Sequence, residues 1–140
     1  MSATLLYRIA AVVLVLFALG HTFGFLHFKP QTPAGQAVRD AMNSVHFQVG
    51  SGTFTYGGFY VGFGLYVSAY LLFSAFLAWY LGGLAAGSPQ AIGALGWAFF
   101  ALQLASLVLS WIYFAAVPTL FSGLVAACAG WAAYLVQASR

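Results

Sequence analysis

Charge is nearly absent from this chain. Among its 140 residues there are four Lys or Arg, three His and one acid. That acid is Asp40, so chemistry built on a pair of carboxylates is excluded. Ion pumping needs acids or bases in series within the membrane, and only His21 is placed for that. The four cations, Arg8, Lys29, Arg39 and Arg140, are too few and too scattered to make the clustered basic face of a nucleic-acid binder. Cys128 stands alone, which rules out an internal disulfide and a CxxC redox centre. There is no P-loop, no GxSxG, no zinc signature and no tandem repeat.

What the sequence has is apolar length. It is 64% hydrophobic, with a mean hydropathy of +0.97. A soluble domain of this size needs far more polar surface, whereas an integral membrane protein has lipid as its solvent. Four apolar runs stand out, at about 5–28, 56–81, 91–116 and 118–136. Each is long enough to cross a hydrocarbon core of about 30 Å as a helix rising 1.5 Å per residue. Backbone groups in lipid must be paired internally, and the runs lack the alternation of a membrane barrel. The expected fold is therefore all-α: one membrane domain over 1–140, a four-helix transmembrane bundle. The rival reading of the first run is a signal peptide with a cleavage site at "ALG" (18–20), but the apolar run continues past that point. Arg8 can snorkel to headgroups. "GGLAAGSPQ" (82–90) ends the second run, and Pro118 suits the first turn of the fourth.

The aromatic residues fall near the ends of the runs. Tyr7, Trp79, Tyr80, Trp131 and Tyr134 are expected at one interface, and Tyr56, Tyr60, Trp111 and Tyr113 at the other. Lys and Arg divide equally between the two sides. The free amino terminus then tips the reading toward both termini in the cytoplasm of a bacterial inner membrane.

The only long connection is 29–55. Within it a helix over about 33–47 is expected, with Thr32 as its cap and Pro33 at its first position. Val38, Ala41, Met42 and Val45 make one apolar stripe; Arg39, Asn43 and His46 mark another face. Such an amphipathic helix suits the interface, roofing the bundle.

Several residues could carry chemistry. His21 is expected about 10 Å below the surface, where an ionisable side chain faces inward. It is read either as a neutral histidine bonded to another helix or as a ligand for a metal or tetrapyrrole. His27 is rotated from it by about 120° on the same helix. His46 completes a three-histidine metal set only if the roof folds back. No second span carries a histidine, so a bis-histidine haem bridging two transmembrane helices is excluded within one chain. Gln103, Ser106, Ser110 and Tyr113 form a polar stripe on the third run, expected inside as interhelical bonding or as a pocket wall. With His21 and Tyr60 they are the candidate ligand-binding residues. Gly20 and Gly24, Gly58 and Gly62, and Gly123 and Gly130 are candidates for close helix packing.

"RIAAVVLVLFALGH" (8–21), "VRDAM" (38–42) and "GFYVGFGLYVSAYLL" (58–72) give the first half of the chain a layout that resembles the DoxX-like four-helix integral membrane proteins. Some of those are associated with quinone-linked membrane oxidoreduction, so the resemblance implies a quinone among the candidate ligands. The leading expectation is a membrane protein that binds a hydrophobic ligand or cofactor (quinone, lipid, haem or a chlorophyll-type tetrapyrrole) near His21. The alternatives are an accessory subunit of a respiratory or photosynthetic complex, and an oxidoreductase or isomerase using His21 as acid or base. The expected partners are membrane lipids and either other subunits or further copies of the chain.

Overall fold

A computed structural model describes residues 1–139. Five α-helices account for most of them: α1 (Ala3–His27), α2 (Pro33–Ser44), α3 (Tyr56–Gly87), α4 (Leu95–Tyr113) and α5 (Ala116–Ala138). All but α2 are long and apolar enough to cross a membrane. Many large apolar side chains on them face outward: Leu16 is 55% exposed, Phe76 63% and Leu120 71%. In water such surface drives aggregation; in a bilayer it meets the solvent it suits.

The chain forms two compact units, and α1 and α3 each contribute to both. One comprises Met1–Ala18 with the chain from Leu71 onward. Lipid tails are as apolar as leucine, so contact between membrane helices rests on close packing and on polar bonds rather than on hydrophobic burial. Small residues supply that packing here. Ala126, Ala129, Ala132 and Ala133 make a buried face on α5. A β-carbon at Gly130 would come within 2.8 Å of the Phe100 ring of α4. Phe17 of α1 meets Phe121 of α5 at a ring separation of 5.3 Å. Between α4 and α5, Ser110 and Ser122 share a buried hydrogen bond of 3.1 Å, and Trp97 Nε1 donates to Gln137 Oε1 at 2.9 Å.

One residue of this unit departs from its expected place, and its neighbour finds an aromatic partner. Tyr7 is fully buried, so it belongs to the core rather than to an aromatic belt. Its hydroxyl reaches Gly96, where a β-carbon would come within 2.9 Å of it. Arg8 stacks its guanidinium on Trp79, with Cζ 3.4 Å from the ring centroid. The quadrupole of the indole compensates part of the cation's burial.

The other unit spans Leu19–Tyr70. Thr32 caps α2 as expected, its Oγ1 accepting from the Gly35 N–H at 3.1 Å, and Pro33 opens the helix. The helix stops at Ser44, short of the expected end at 47. Residues His46–Val49 (β1) and Gly52–Thr55 (β2) instead form an antiparallel hairpin. The chain is thus not wholly α-helical, and His46 lies on a strand rather than on the roof helix. The cause is local. Val45, Phe47, Val49 and Thr53–Thr55 favour extended backbone. Gly50, at φ +58°, supplies the first position of a two-residue turn before Ser51. Phe47 then packs against Phe54, Tyr56 and Phe59 at ring separations of 6.2, 4.8 and 5.7 Å.

The spans also shift at their ends. α3 runs through Gly82 and Gly83 to Gly87, because an interior glycine weakens a helix by only about 1 kcal/mol and does not stop it. Gly82 also leaves room for Arg8, whose Nε would stand 3.2 Å from a β-carbon there. Pro89–Ile92 forms one turn of 3₁₀ helix, and Gly93 at φ +52° separates it from α4, which therefore starts at Leu95. Pro118 does fall in the first turn of α5.

Candidate functional site

Within Leu19–Tyr70, the last turns of α1 and the first turns of α3 are joined by a polar chain. His21 Nε2 lies 3.1 Å from the Gly64 carbonyl. A carbonyl can only accept, so Nε2 carries the proton of this bond. Ser68 Oγ donates to the same carbonyl at 3.3 Å and meets Thr22 Oγ1 at 2.7 Å. Gly64 is what permits the approach. The Phe25 ring occupies the space that a β-carbon there would need. Phe25 also stacks on His21, with ring centroids 5.7 Å apart and planes 4° from parallel.

Phe25 also lines a cavity of about 580 Å³. That falls within the range of small-molecule sites, about 300–1,000 Å³. Phe25 and Phe28 from the end of α1, Val38 and Met42 from α2, and Tyr60 and Val61 from α3 give it apolar walls. Gln31, Thr32, Arg39 and Asn43 are the polar residues of its lining. Two close approaches shape it. Gly35 packs on Pro30 and Thr32, and Gly57 lies against the Asn43 amide, so side chains at either position would push α2 away. Arg39 Nη1 donates to the Phe28 carbonyl at 2.6 Å, which ties α2 to the chain just beyond α1.

The expected site residues are distributed unevenly around this pocket. Tyr60 lines it; His21 does not, and touches it only through its stack on Phe25. His27 donates from Nδ1 to the Phe23 carbonyl at 2.9 Å, and His46 from Nδ1 to the Ser44 carbonyl at 2.8 Å; both are exposed. The three histidines are not brought together, and among the described residues no group of three His, Cys, Asp or Glu could hold a metal ion. The physical reason is the strand at His46 and the rotation between His21 and His27 along α1.

Gln103, Ser106, Ser110 and Tyr113 belong to the first unit. Gln103 and Ser110 are buried, Ser106 is half-buried and donates to the Leu102 carbonyl, and Tyr113 is 71% exposed. The stripe therefore faces inward at two positions and leaves the core at its last. A separate cavity of this unit, about 410 Å³, is lined by Ile92, Trp97 and Gln137 rather than by the stripe. Of the glycines expected at helix contacts, Gly130 and Gly123 meet Phe100 and Leu107. Gly58 meets only its own helix cap, Thr55, and Gly20, Gly24 and Gly62 border open space.

Sequence reasoning did not select Phe25, Arg39, Asn43 or Gly57 as site residues. The one available signal was the Arg39–Asn43 spacing on α2, a polar pair one turn apart beside an apolar stripe. Comparison with models of protein families, with curated proteins and with solved structures finds no match to this chain.

Proposed function

We propose that the chain is a small multi-pass membrane protein that binds a lipid-soluble ligand in the pocket between α1, α2 and α3. The carrying observation is the cavity itself: apolar walls from Phe25, Met42 and Val61, with Arg39 and Asn43 among them. A concave, mostly apolar surface with a few polar groups is what a ligand site requires. In this reading α2 lies in the membrane interface and its apolar residues cover the pocket. The membrane is a bacterial inner membrane with both termini in the cytoplasm. The ligand is a quinone or lipid packed against Phe25 and Tyr60, in keeping with the DoxX-like layout. His21 acts through Phe25, as a support for the pocket wall rather than as a ligand to a haem or chlorophyll-type centre.

The test is native mass spectrometry of the protein in nanodiscs, after gentle extraction from its own membrane. One lipid-soluble compound is expected at near-stoichiometric occupancy, and Met42→Trp, which fills the pocket, should abolish it. A protein that carries only bulk lipid, in the same amounts with and without the substitution, overturns the reading. A second reading, an accessory subunit or homo-oligomer, is favoured by the open space beside Gly20 and Gly24. There a helix of another chain could approach closely. Stoichiometric co-purification, or a dimer on native gels, would decide for it.

A further inference from the structure

The charge at the pocket narrows its ligand. Arg39 lines the cavity, and one of its five N–H donors is used by the Phe28 carbonyl. Among the described residues it forms no ion pair, and neither does Asp40, the only acid of the chain. Asp40 is not among the cavity residues. Lys29 lies in the same unit, next to Phe28 and Pro30, both of which line the cavity. The 19–70 segment thus holds two cations against one acid, and one of the cations is fixed at the cavity wall by its bond to Phe28. A guanidinium with free donors is suited to a carboxylate or phosphate, which it can grip through two parallel N–H bonds. The remaining polar lining, Gln31, Thr32 and Asn43, can donate to the same head, and Asn43 has no hydrogen bond of its own to break. Beyond the head, Phe25, Met42 and Val61 present only apolar surface, which fits a hydrocarbon chain.

We infer that the pocket takes an anionic amphiphile: a carboxylate or phosphate head held by Arg39, with its chain against Phe25, Met42 and Val61. This rests on the reading of the cavity as a ligand site and adds the sign of the ligand's charge. A neutral quinone would leave the free donors of Arg39 with only a carbonyl oxygen to face. A carboxylate or phosphate adds the attraction of opposite charges and a two-pronged grip that a single neutral carbonyl cannot supply.

The experiment uses the full chain in phosphatidylcholine nanodiscs and follows displacement of a fluorescent C16 fatty acid. Hexadecanoate and a C16 lysophosphatidate are compared with hexadecanol, a neutral chain of the same length. At least one anion should displace the probe at a concentration about tenfold lower than the alcohol. Whichever anion is stronger identifies the head as carboxylate or phosphate. Arg39→Gln should bring the anion and the alcohol to the same half-displacement concentration, and Arg39→Lys should restore part of the anion's advantage. Equal displacement by anion and alcohol on the unsubstituted protein overturns this inference but leaves the ligand site standing. Probe binding that is weak and unchanged by Met42→Trp overturns both. The comparison of ligands needs no variant, so it holds even if Arg39→Gln fails to fold.

Discussion

Gly64 is the position where sequence, packing and the pocket meet, and its substitution by alanine is the sharpest structural prediction. The added β-carbon would overlap three atoms of the Phe25 ring, and no other residue is among its nearest neighbours. The ring must swing away. It then gives up its stack on His21 and its tilted contact with Tyr60, where the centroids are 5.3 Å apart. Overpacking of this kind costs about 1–3 kcal/mol. Alanine in place of glycine within a helix returns about 0.8–1 kcal/mol. Gly64→Ala should therefore destabilise the protein by about 0–2 kcal/mol in a Phe25 background. With Phe25→Ala already present the obstacle is gone, and the same substitution should become neutral or stabilising by up to about 1 kcal/mol. The assay is a double-mutant cycle on unfolding free energy in mixed micelles, with an expected coupling of about 1–3 kcal/mol. If Gly64→Ala costs the same with and without the Phe25 ring, the packing argument is wrong.

Other substitutions test the rest of the account. Gly20→Ala, Gly24→Ala and Gly62→Ala meet nothing within 4 Å and should leave thermal stability unchanged or slightly raised; loss of a native-gel dimer in any of them would instead place that glycine at a contact between chains. Ser110→Ala should cost about 0.6–2 kcal/mol in the same micelle assay, and Ser122→Ala should add little once Ser110 is gone, because one hydrogen bond joins the pair. Tyr7→Phe should be neutral or stabilising by thermal melt, since the Tyr7 hydroxyl is buried without a hydrogen-bond partner. A loss above about 1.5 kcal/mol there would mean that the hydroxyl is satisfied after all.

The long elements were legible in the sequence because their signals are strong and local. Apolar length marked α1, α3, α4 and α5, and Thr32 with Pro33 marked the start of α2 to the residue. What was missed depended on competition between local signals. Met42 and Val45 continued a helical stripe, but Phe47, Val49 and the Gly50 turn made a hairpin the better use of the next ten residues. Gly82 and Gly83 read as a break, yet the helix carries them because Leu84, Ala85 and Ala86 follow. Tyr7 read as a belt residue because its burial depends on Gly96, nearly ninety positions away. The pocket had the same difficulty. His21 drew attention as the rare ionisable group in a span, and the structure satisfies it on the Gly64 carbonyl. The cavity lies one ring further on, created by two glycine contacts and one arginine bond that only the folded chain brings together.

If the proposed function is right, the cavity around Phe25, Met42 and Val61 is a binding site rather than one more lipid-exposed surface. The most direct measurement is photolabelling in native membranes with a diazirine-bearing C16 fatty acid, mapped by peptide mass spectrometry with and without excess unlabelled acid. Saturable label is expected on α2 and on the 25–28 and 57–61 segments, removed by the competitor. Label spread evenly over outward residues such as Leu16, Phe76 and Leu120, and untouched by competitor, would contradict it.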